Sequence, residues 1–257
     1  MVSPRRRYLL LGAAAVVLIL IIVLGIRLFA NRADDSGPRP DQARPGTVLL
    51  VPGYGGSRTA LTTLAARLDA AGRTTQVLVL PGDGTGDLLA QVETLNSAVR
   101  AAVRNGAPSV DVIGYSAGGV VTRLWVARDH GAEVARRIVT LGSPLHGAKI
   151  AGLGAALAPD ACPQACRELA PGSDILGSID KPLPTGLPWL SIWTENDETV
   201  QPPDSARQEG AVNLPLQSIC PSVQVSHSDL PTNPQIEALV IKALGTDPLT
   251  QPTTCPA

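Results

Sequence analysis

Apolar and polar residues follow two different periods along the chain after residue 46. Short apolar runs rich in β-branched residues predict strands, and longer segments with apolar residues three or four positions apart predict helices. Alternating strands and helices predict an α/β domain with a mostly parallel central sheet and helices on both faces. The predicted strands are residues 47–51, 76–80, 109–113, 137–141, 189–193 and 212–219, and the predicted helices are residues 61–71, 88–103, 117–128 and 236–244.

The first thirty residues have a different pattern. An uncharged apolar run, residues 8–26, follows three arginines at positions 5–7. As a helix this run spans roughly 28 Å, close to the thickness of a bilayer core. The pattern predicts a retained membrane anchor over residues 1–30, with the arginines in the cytoplasm and the body of the chain on the extracytoplasmic side. The alternative is a cleaved signal peptide and secretion, although that apolar region is usually shorter, about 7–15 residues.

The rest of the chain is organised as a linker, one domain and a tail. Residues 31–46 are polar and rich in proline, which predicts a linker. About 210 residues then remain, enough for one core, and the domain is predicted over residues 47–245. Residues 146–187 lack a clear period and predict either a cap- or lid-like insertion or a plain loop. Residues 246–257 are a C-terminal tail that we expect a disulfide to hold.

Composition narrows the classes of function. Apolar residues make up 44% of the chain and aromatic residues only 3%, so the core must consist mainly of Val, Leu, Ile and Ala. Such residues suit a parallel sheet that is buried on both faces. The formal net charge is −1, and no basic stripe is interleaved with aromatic residues. We therefore expect no nucleic-acid partner, and we expect a monomer.

All four cysteines lie in the part predicted to be exported, where an oxidising compartment favours disulfides. The economical pairing joins Cys162 to Cys166 and Cys220 to Cys255, although four cysteines allow three connectivities. A C-x3-C spacing is also seen in metal sites. No histidine lies nearby with the spacing of a zinc finger, so we expect no metal.

The strongest chemical signal is the sequence GYSAG at residues 114–118, between a predicted strand and a predicted helix. It matches the G-x-S-x-G pattern of a nucleophile on a sharp strand-to-helix turn. Gly114 and Gly118 are small enough for neighbouring backbone to pass, and the helix N-terminus favours developing negative charge at Ser116. The alternative is a glycine-rich turn with an incidental serine.

A serine nucleophile needs a base and an acid that orients the base. In strand-to-helix nucleophile sites the chain order is Ser, then Asp or Glu, then His. Of the three histidines, only His227 has this order; His130 lies at the far end of the following helix, and His146 precedes any credible acid. Asp197 follows the strand at residues 189–193 and is the predicted acid. Glu195 and Glu198 are alternatives, and Asp197 is also typical of a residue that merely forms a turn.

The same chemistry needs two backbone N–H groups to stabilise an oxyanion. Ala117, directly after the nucleophile, is one candidate donor. Tyr54, in the turn PGYGG at residues 52–56 after the first strand, is the other. Glycines in this turn allow the backbone to approach a substrate oxygen, although an ordinary strand-to-helix turn has the same composition.

Together these motifs resemble the α/β-hydrolase superfamily, and in particular bacterial secreted lipases and esterases of the class 2 triacylglycerol lipase type. The resemblance covers about residues 47–244 and is carried by PGYGG, GYSAGG, GSPLHG, APGSDIL, WTENDETVQPPDSA and SHSDLP. These lipases often have a histidine before the glycine of the first turn, where this chain has Pro52. That departure removes a side chain but leaves the backbone donor in place.

The resemblance implies hydrolysis of carboxylic esters, including lipids, through a Ser116–Asp197–His227 triad and an acyl-enzyme, with no cofactor. An acyltransferase, thioesterase or peptidase of the cell envelope would use the same triad. A non-catalytic binding module on this scaffold is the alternative from another class.

Overall fold

The computed structural model describes residues 17–18 and 39–256. The chain divides into two units, Met1–Gly37 and Pro38–Ala257. The predicted anchor lies almost wholly outside the described residues. Within the described part, no helix combines the length and the hydropathy that a membrane span requires.

Six strands form one sheet in which every neighbouring pair is parallel. Their spatial order is β2-β1-β3-β4-β5-β6. The strands are β1 (Thr47–Val51), β2 (Thr75–Val77), β3 (Val110–Tyr115), β4 (Ala135–Leu141), β5 (Trp189–Trp193) and β6 (Val212–Pro215). The prediction of a mostly parallel sheet is confirmed.

Seven α-helices connect or follow the strands in the described part of the chain. They are α1 (Thr59–Ala70), α2 (Leu88–Arg104), α3 (Ala117–Arg128), α4 (Lys149–Leu157), α5 (Gln164–Glu168), α6 (Asp174–Gly177) and α7 (Pro234–Ala243). Short 3-10 turns occupy Gly131–Glu133, Pro159–Ala161, Pro203–Ala206 and Leu216–Ser218.

The core has two halves because successive strand residues point to opposite faces of the sheet. On one face, Leu49 and Val51 pack in a cluster that includes residues of α2 and α3. On the other face, Val48 and Leu50 pack in a cluster that includes residues of α1 and α7. Helices therefore cover both faces, as the apolar strands predict.

Two predicted strands are too long. β2 ends at Val77 rather than at residue 80, since β1, its partner among the described residues, ends at Val51, and Leu50 is already opposite Val77. β6 ends at Pro215 rather than at residue 219, and a 3-10 turn follows. Proline has no N–H to donate to a further pairing, and Pro215 is opposite the last residue of β5.

The segment at 146–187 contains the helices α4, α5 and α6, where the sequence predicted no regular elements. The structure joins Cys162 to Cys166 and Cys220 to Cys255, so the predicted pairing is confirmed. The second disulfide attaches the C-terminal tail to the segment after β6. Among the described residues, no three His, Cys, Asp or Glu side chains cluster as a metal site would require.

Candidate active site

Ser116 lies on the turn between β3 and α3, in a conformation that L-residues rarely adopt. Its φ is 52° and its ψ is −127°. A residue held in such a region costs about 1–3 kcal/mol, which the surrounding structure must offset. The Ser116 N–H donates to the Leu141 carbonyl at 2.8 Å, which ties the turn to the end of the neighbouring strand.

Glycines make this turn sterically feasible. A Cβ on Gly114 would lie 2.5 Å from the Gly119 Cα, and one on Gly118 would lie 2.2 Å from the Val51 carbonyl oxygen. Both distances are too short for any side chain, in agreement with the steric reason for small residues at these positions. Sequence reasoning missed Gly119, where a Cβ would lie 1.9 Å from the Ser143 Oγ.

The structure brings Ser116, His227 and Asp197 together. The Ser116 Oγ lies 3.0 Å from the His227 Nε2, and the His227 Nδ1 lies 2.7 Å from the Asp197 Oδ2. Asp197 is 1% exposed and His227 is 6% exposed. A proton on Nδ1, donated to Asp197, leaves the Nε2 lone pair directed at the serine hydroxyl.

Asp197 combines the two roles that the sequence left open. Its Oδ1 accepts backbone N–H bonds from Thr199 at 2.9 Å and from Val200 at 2.7 Å, as a turn-forming aspartate does. Its Oδ2 contacts the imidazole. The turn therefore fixes the carboxylate in place without using the oxygen that meets His227.

The other candidates lie elsewhere. Glu198 accepts the backbone N–H of His227 at 3.1 Å rather than an imidazole N–H, and Glu195 is exposed. The His146 Nδ1 lies 3.1 Å from the Ser205 carbonyl oxygen. The His130 side chain is 83% exposed and lies 3.5 Å from Glu133.

Tyr115 is a site residue that sequence reasoning missed. Its hydroxyl donates to the His227 carbonyl at 3.2 Å, and its ring stacks on the imidazole with 5.3 Å between centroids. Burial, followed by the charges of Asp197, Glu198 and Asp229, raises the pKa of Tyr115 to about 12. The hydroxyl is therefore protonated and able to donate throughout the neutral range.

The turn after β1 lies against the nucleophile. A Cβ on Gly53 would be 2.9 Å from the Ser116 Cβ, so the next residue, Tyr54, is close to the site. Neither the Tyr54 N–H nor the Ala117 N–H donates to an acceptor within residues 39–256. Within these residues, both candidate donors are therefore without a hydrogen-bond partner.

Helix α4 connects to the rim of this site. The Lys149 N–H donates to the Gln201 carbonyl at 2.9 Å, and the Gln201 side-chain amide donates to the Asp197 carbonyl. The outer face of α4 is apolar and exposed: Ile150 is 64%, Leu153 is 59% and Leu157 is 79% exposed. The helix packs beside the first disulfide, where a Cβ on Gly154 would lie 3.2 Å from the Cys166 Sγ.

Comparison with known proteins agrees with this architecture. Residues 82–153 match the model of a family described as PGAP1-like alpha/beta domain. That stretch runs from the loop after β2 through Ser116 to the first half of α4. No curated protein sequence matches the chain.

Solved lipase structures share the fold. The crystal structure of Aspergillus fumigatus lipase B superimposes with a TM-score of 0.66 at 23% identity, over 78% of this chain and 52% of that one. This chain therefore spans about half the length of the fungal lipase. The mature form of Bacillus licheniformis lipase BlEst2 gives a TM-score of 0.65 at 18% identity, over 81% of this chain and 95% of that one. A Paleococcus ferrophilus monoacylglycerol lipase gives 0.55 at 13% identity, over 81% and 96%. The chain has the α/β-hydrolase fold, and that prediction is confirmed.

Proposed function

Given an α/β-hydrolase fold with a serine on its strand-to-helix turn, we propose that this chain is a serine hydrolase that cleaves carboxylic esters. The observation that carries the proposal is the continuous contact from the Ser116 Oγ through His227 to Asp197, at 3.0 and 2.7 Å. A base within hydrogen-bonding reach of a nucleophile, itself oriented by a buried carboxylate, is the arrangement that activates a hydroxyl.

In the proposed reaction, the His227 Nε2 takes the hydroxyl proton while the Ser116 Oγ attacks the ester carbonyl carbon. Asp197 stabilises the imidazolium, and the Tyr54 and Ala117 N–H groups stabilise the oxyanion. The C–O bond to the alcohol then breaks, and the alcohol leaves with the proton from Nε2. Water, deprotonated by the same nitrogen, releases the acid from the acyl-enzyme and restores Ser116.

Replacement of Ser116 with alanine tests this proposal. We expect hydrolysis of a chromogenic ester to fall by at least about a thousandfold, because the variant has no nucleophile and retains only oxyanion stabilisation and binding. The free energy of unfolding should fall little, since the hydroxyl is half-buried and lies at the site. Wild-type activity in the variant would exclude Ser116 as the nucleophile.

An acyltransferase, a thioesterase and a peptidase would form the same acyl-enzyme as an esterase, so a choice of substrates must distinguish these activities. A panel of matched esters, thioesters and amides separates an esterase from a thioesterase or a peptidase, and added alcohols or amines reveal an acyltransferase. A fluorophosphonate probe addresses the binding-module alternative, because only an activated serine reacts with it. Failure to label Ser116 would favour the non-catalytic module.

We also propose lipid esters as the substrate class and the cell membrane as the location. The exposed apolar face of α4 beside the site supports an aggregated lipid substrate. The apolar run at residues 8–26 supports a single-pass anchor, and two disulfides support an extracytoplasmic domain. Fractionation of cells that express the full chain tests the location.

A further inference from the structure

The candidate base lies on a segment with no regular secondary structure. His227 is between the 3-10 turn Leu216–Ser218 and α7, so no helix or strand fixes its backbone. A catalytic imidazole must nevertheless be held in one orientation, because a misplacement of about 1 Å can cost a hundredfold in rate. Contacts from elsewhere in the fold must therefore supply the rigidity.

Two residues bind the backbone of His227, one on each side of its Cα. The Glu198 Oε2 accepts the His227 N–H at 3.1 Å. The Tyr115 hydroxyl donates to the His227 carbonyl at 3.2 Å, and that carbonyl also accepts the Leu230 N–H at 3.3 Å. The ring of Tyr115 stacks on the imidazole as well.

Tyr115 and Glu198 are sequence neighbours of the candidate nucleophile and of the candidate acid. Tyr115 directly precedes Ser116, and Glu198 directly follows Asp197. The strand end that presents the nucleophile therefore also binds the His227 carbonyl. The turn that presents the acid also binds the His227 N–H. Contacts with its backbone and with its ring thus hold His227 in position relative to both Ser116 and Asp197.

We infer that Tyr115 and Glu198 are positioning residues that hold the His227 backbone in register with Ser116 and Asp197. The inference rests on the proposed function, since it assigns these residues to the same reaction. Neither residue touches the reacting atoms. Each acts through hydrogen bonds to the His227 peptide groups, so loss of either bond widens the range of positions that the imidazole occupies.

Kinetics of four single variants test the inference. Tyr115→Phe keeps the stacked ring and removes the hydroxyl, and Glu198→Ala removes the acceptor. We expect each to lower kcat by about tenfold with KM changed less than about twofold, because orientation affects the transition state more than substrate binding. Glu198→Gln, which keeps an acceptor oxygen, should restore most of kcat. Glu195→Gln removes a charge from the same turn, has no bond to His227 in the described structure, and should match the wild type.

Two outcomes would overturn the inference: unchanged kcat in both Tyr115→Phe and Glu198→Ala, or a Glu198→Gln variant as slow as Glu198→Ala, which would assign the effect to charge. The same substitutions added to a His227→Ala variant provide a second test of the inference. The residual rate of that variant should fall no further when either substitution is added, because the positioned group is already absent. A further tenfold fall would mean that the residues act on something other than His227.

A measurement without substrate separates this inference from the proposed function. The proton between His227 Nδ1 and Asp197 gives a far-downfield NMR resonance when the pair is rigid. We expect the resonance in the wild type and its broadening in Tyr115→Phe and Glu198→Ala, with Glu195→Gln unchanged. If fluorophosphonate fails to label Ser116 yet the variants broaden this resonance, the proposed function fails and the positioning stands. A resonance unaffected by both substitutions would refute the positioning.

Discussion

The backbone around Ser116 is packed so closely that single atoms decide whether the turn can form. A Cβ on Gly118 would meet the carbonyl oxygens of Val51 and Pro52 at 2.2 and 2.5 Å. Both oxygens belong to the backbone at the end of β1, which cannot move without disturbing the turn that carries Tyr54. Packing around Gly118 thus links the position of the nucleophile to that of the candidate oxyanion donor.

Replacement of Gly118 with alanine should therefore lower the free energy of unfolding by about 3 kcal/mol, the upper end of typical overpacking costs. Ester hydrolysis should fall with it, because relief of the clash moves either the serine or the β1 turn. Urea denaturation and steady-state kinetics measure the two effects.

Gly86 provides a matched control for this substitution. A Cβ there meets no atom within 4 Å, and the residue does not have a positive φ. Gly86→Ala should change the free energy of unfolding by less than about 1 kcal/mol. Equal stability of the Gly118→Ala and Gly86→Ala variants would show that the turn has more room than the structure indicates.

Helix α4 leaves most of its apolar surface uncovered. Only Ala151 of this helix is buried, and its apolar residues at positions 150, 153 and 157 face outward. The helix is short, yet its start is bonded to the turn of the candidate acid, and the Cys162–Cys166 disulfide lies beside Gly154 in its second half. These contacts make α4 a fixed apolar surface beside the site.

The double variant Leu153→Ser and Leu157→Ser tests what this surface contacts. Hydrolysis of a long-chain ester presented in vesicles should fall about tenfold or more, because burial of each leucine side chain in the lipid would contribute about 1.5–3 kcal/mol to binding. Hydrolysis of a soluble short-chain ester should be unchanged. A chain-length series with both substrate forms provides the measurement.

Val103 provides a control for the Leu153→Ser and Leu157→Ser variant. It is 44% exposed and lies near the end of α2, a helix that runs away from the carboxyl edge of the sheet. Val103→Ser should leave both rates at the wild-type level. A Leu153→Ser and Leu157→Ser variant that loses both activities equally would assign α4 to the stability of the site instead of to substrate contact.

A buried charged cluster lies at the edge of the sheet opposite the candidate active site. Near the start of β3 and β4, the Asp111 Oδ2 lies 2.6 Å from the Arg136 Nη2, and both side chains are fully buried. Arg136 also donates to the carbonyls of Leu244 and Gly245. This cluster attaches the end of α7 to the sheet at the edge away from Ser116.

The proposed membrane anchor over residues 1–30 can be tested by fractionation of cells. We expect the full chain to sediment with membranes and to stay there in high salt, because apolar insertion is not screened as charge attraction is. Leu18→Arg, which puts a charge in the middle of the apolar run at a cost of about 2.5–3.5 kcal/mol, should increase the soluble fraction. Immunoblots of the fractions measure both.

Fractionation of the wild type also distinguishes the two interpretations of the apolar run at residues 8–26, a retained anchor and a cleaved signal peptide. An intact N-terminus in the membrane fraction supports the anchor, whereas a shortened soluble product supports a cleaved signal peptide. Full-length protein in the soluble fraction would contradict the proposal of a membrane anchor.

Some features of this protein can be predicted from local sequence patterns alone. Strand and helix periods predicted the order of elements, with β1, α3 and β5 matching the structure at both ends. The motif at residues 114–118 and the chain order of Ser, Asp and His identified three side chains that the structure brings into contact. The periods and the motif can be found in the sequence because turn sterics and side-chain periodicity act between residues close together in the chain. The two distant candidates, Asp197 and His227, were predicted from the chain order that this kind of site requires.

Other contacts between residues far apart in the chain could not be predicted from the sequence and are seen only in three dimensions. β2 and β6 end where their neighbours end, and α4 is apolar on the face that packing leaves uncovered. Tyr115 and His227 are 112 positions apart in the chain, and the parallel register brings turns from distant parts of the chain to one edge of the sheet. No local period encodes such contacts, because strand pairing and the return path of the chain set them. The positioning contacts to His227 therefore became visible only in three dimensions.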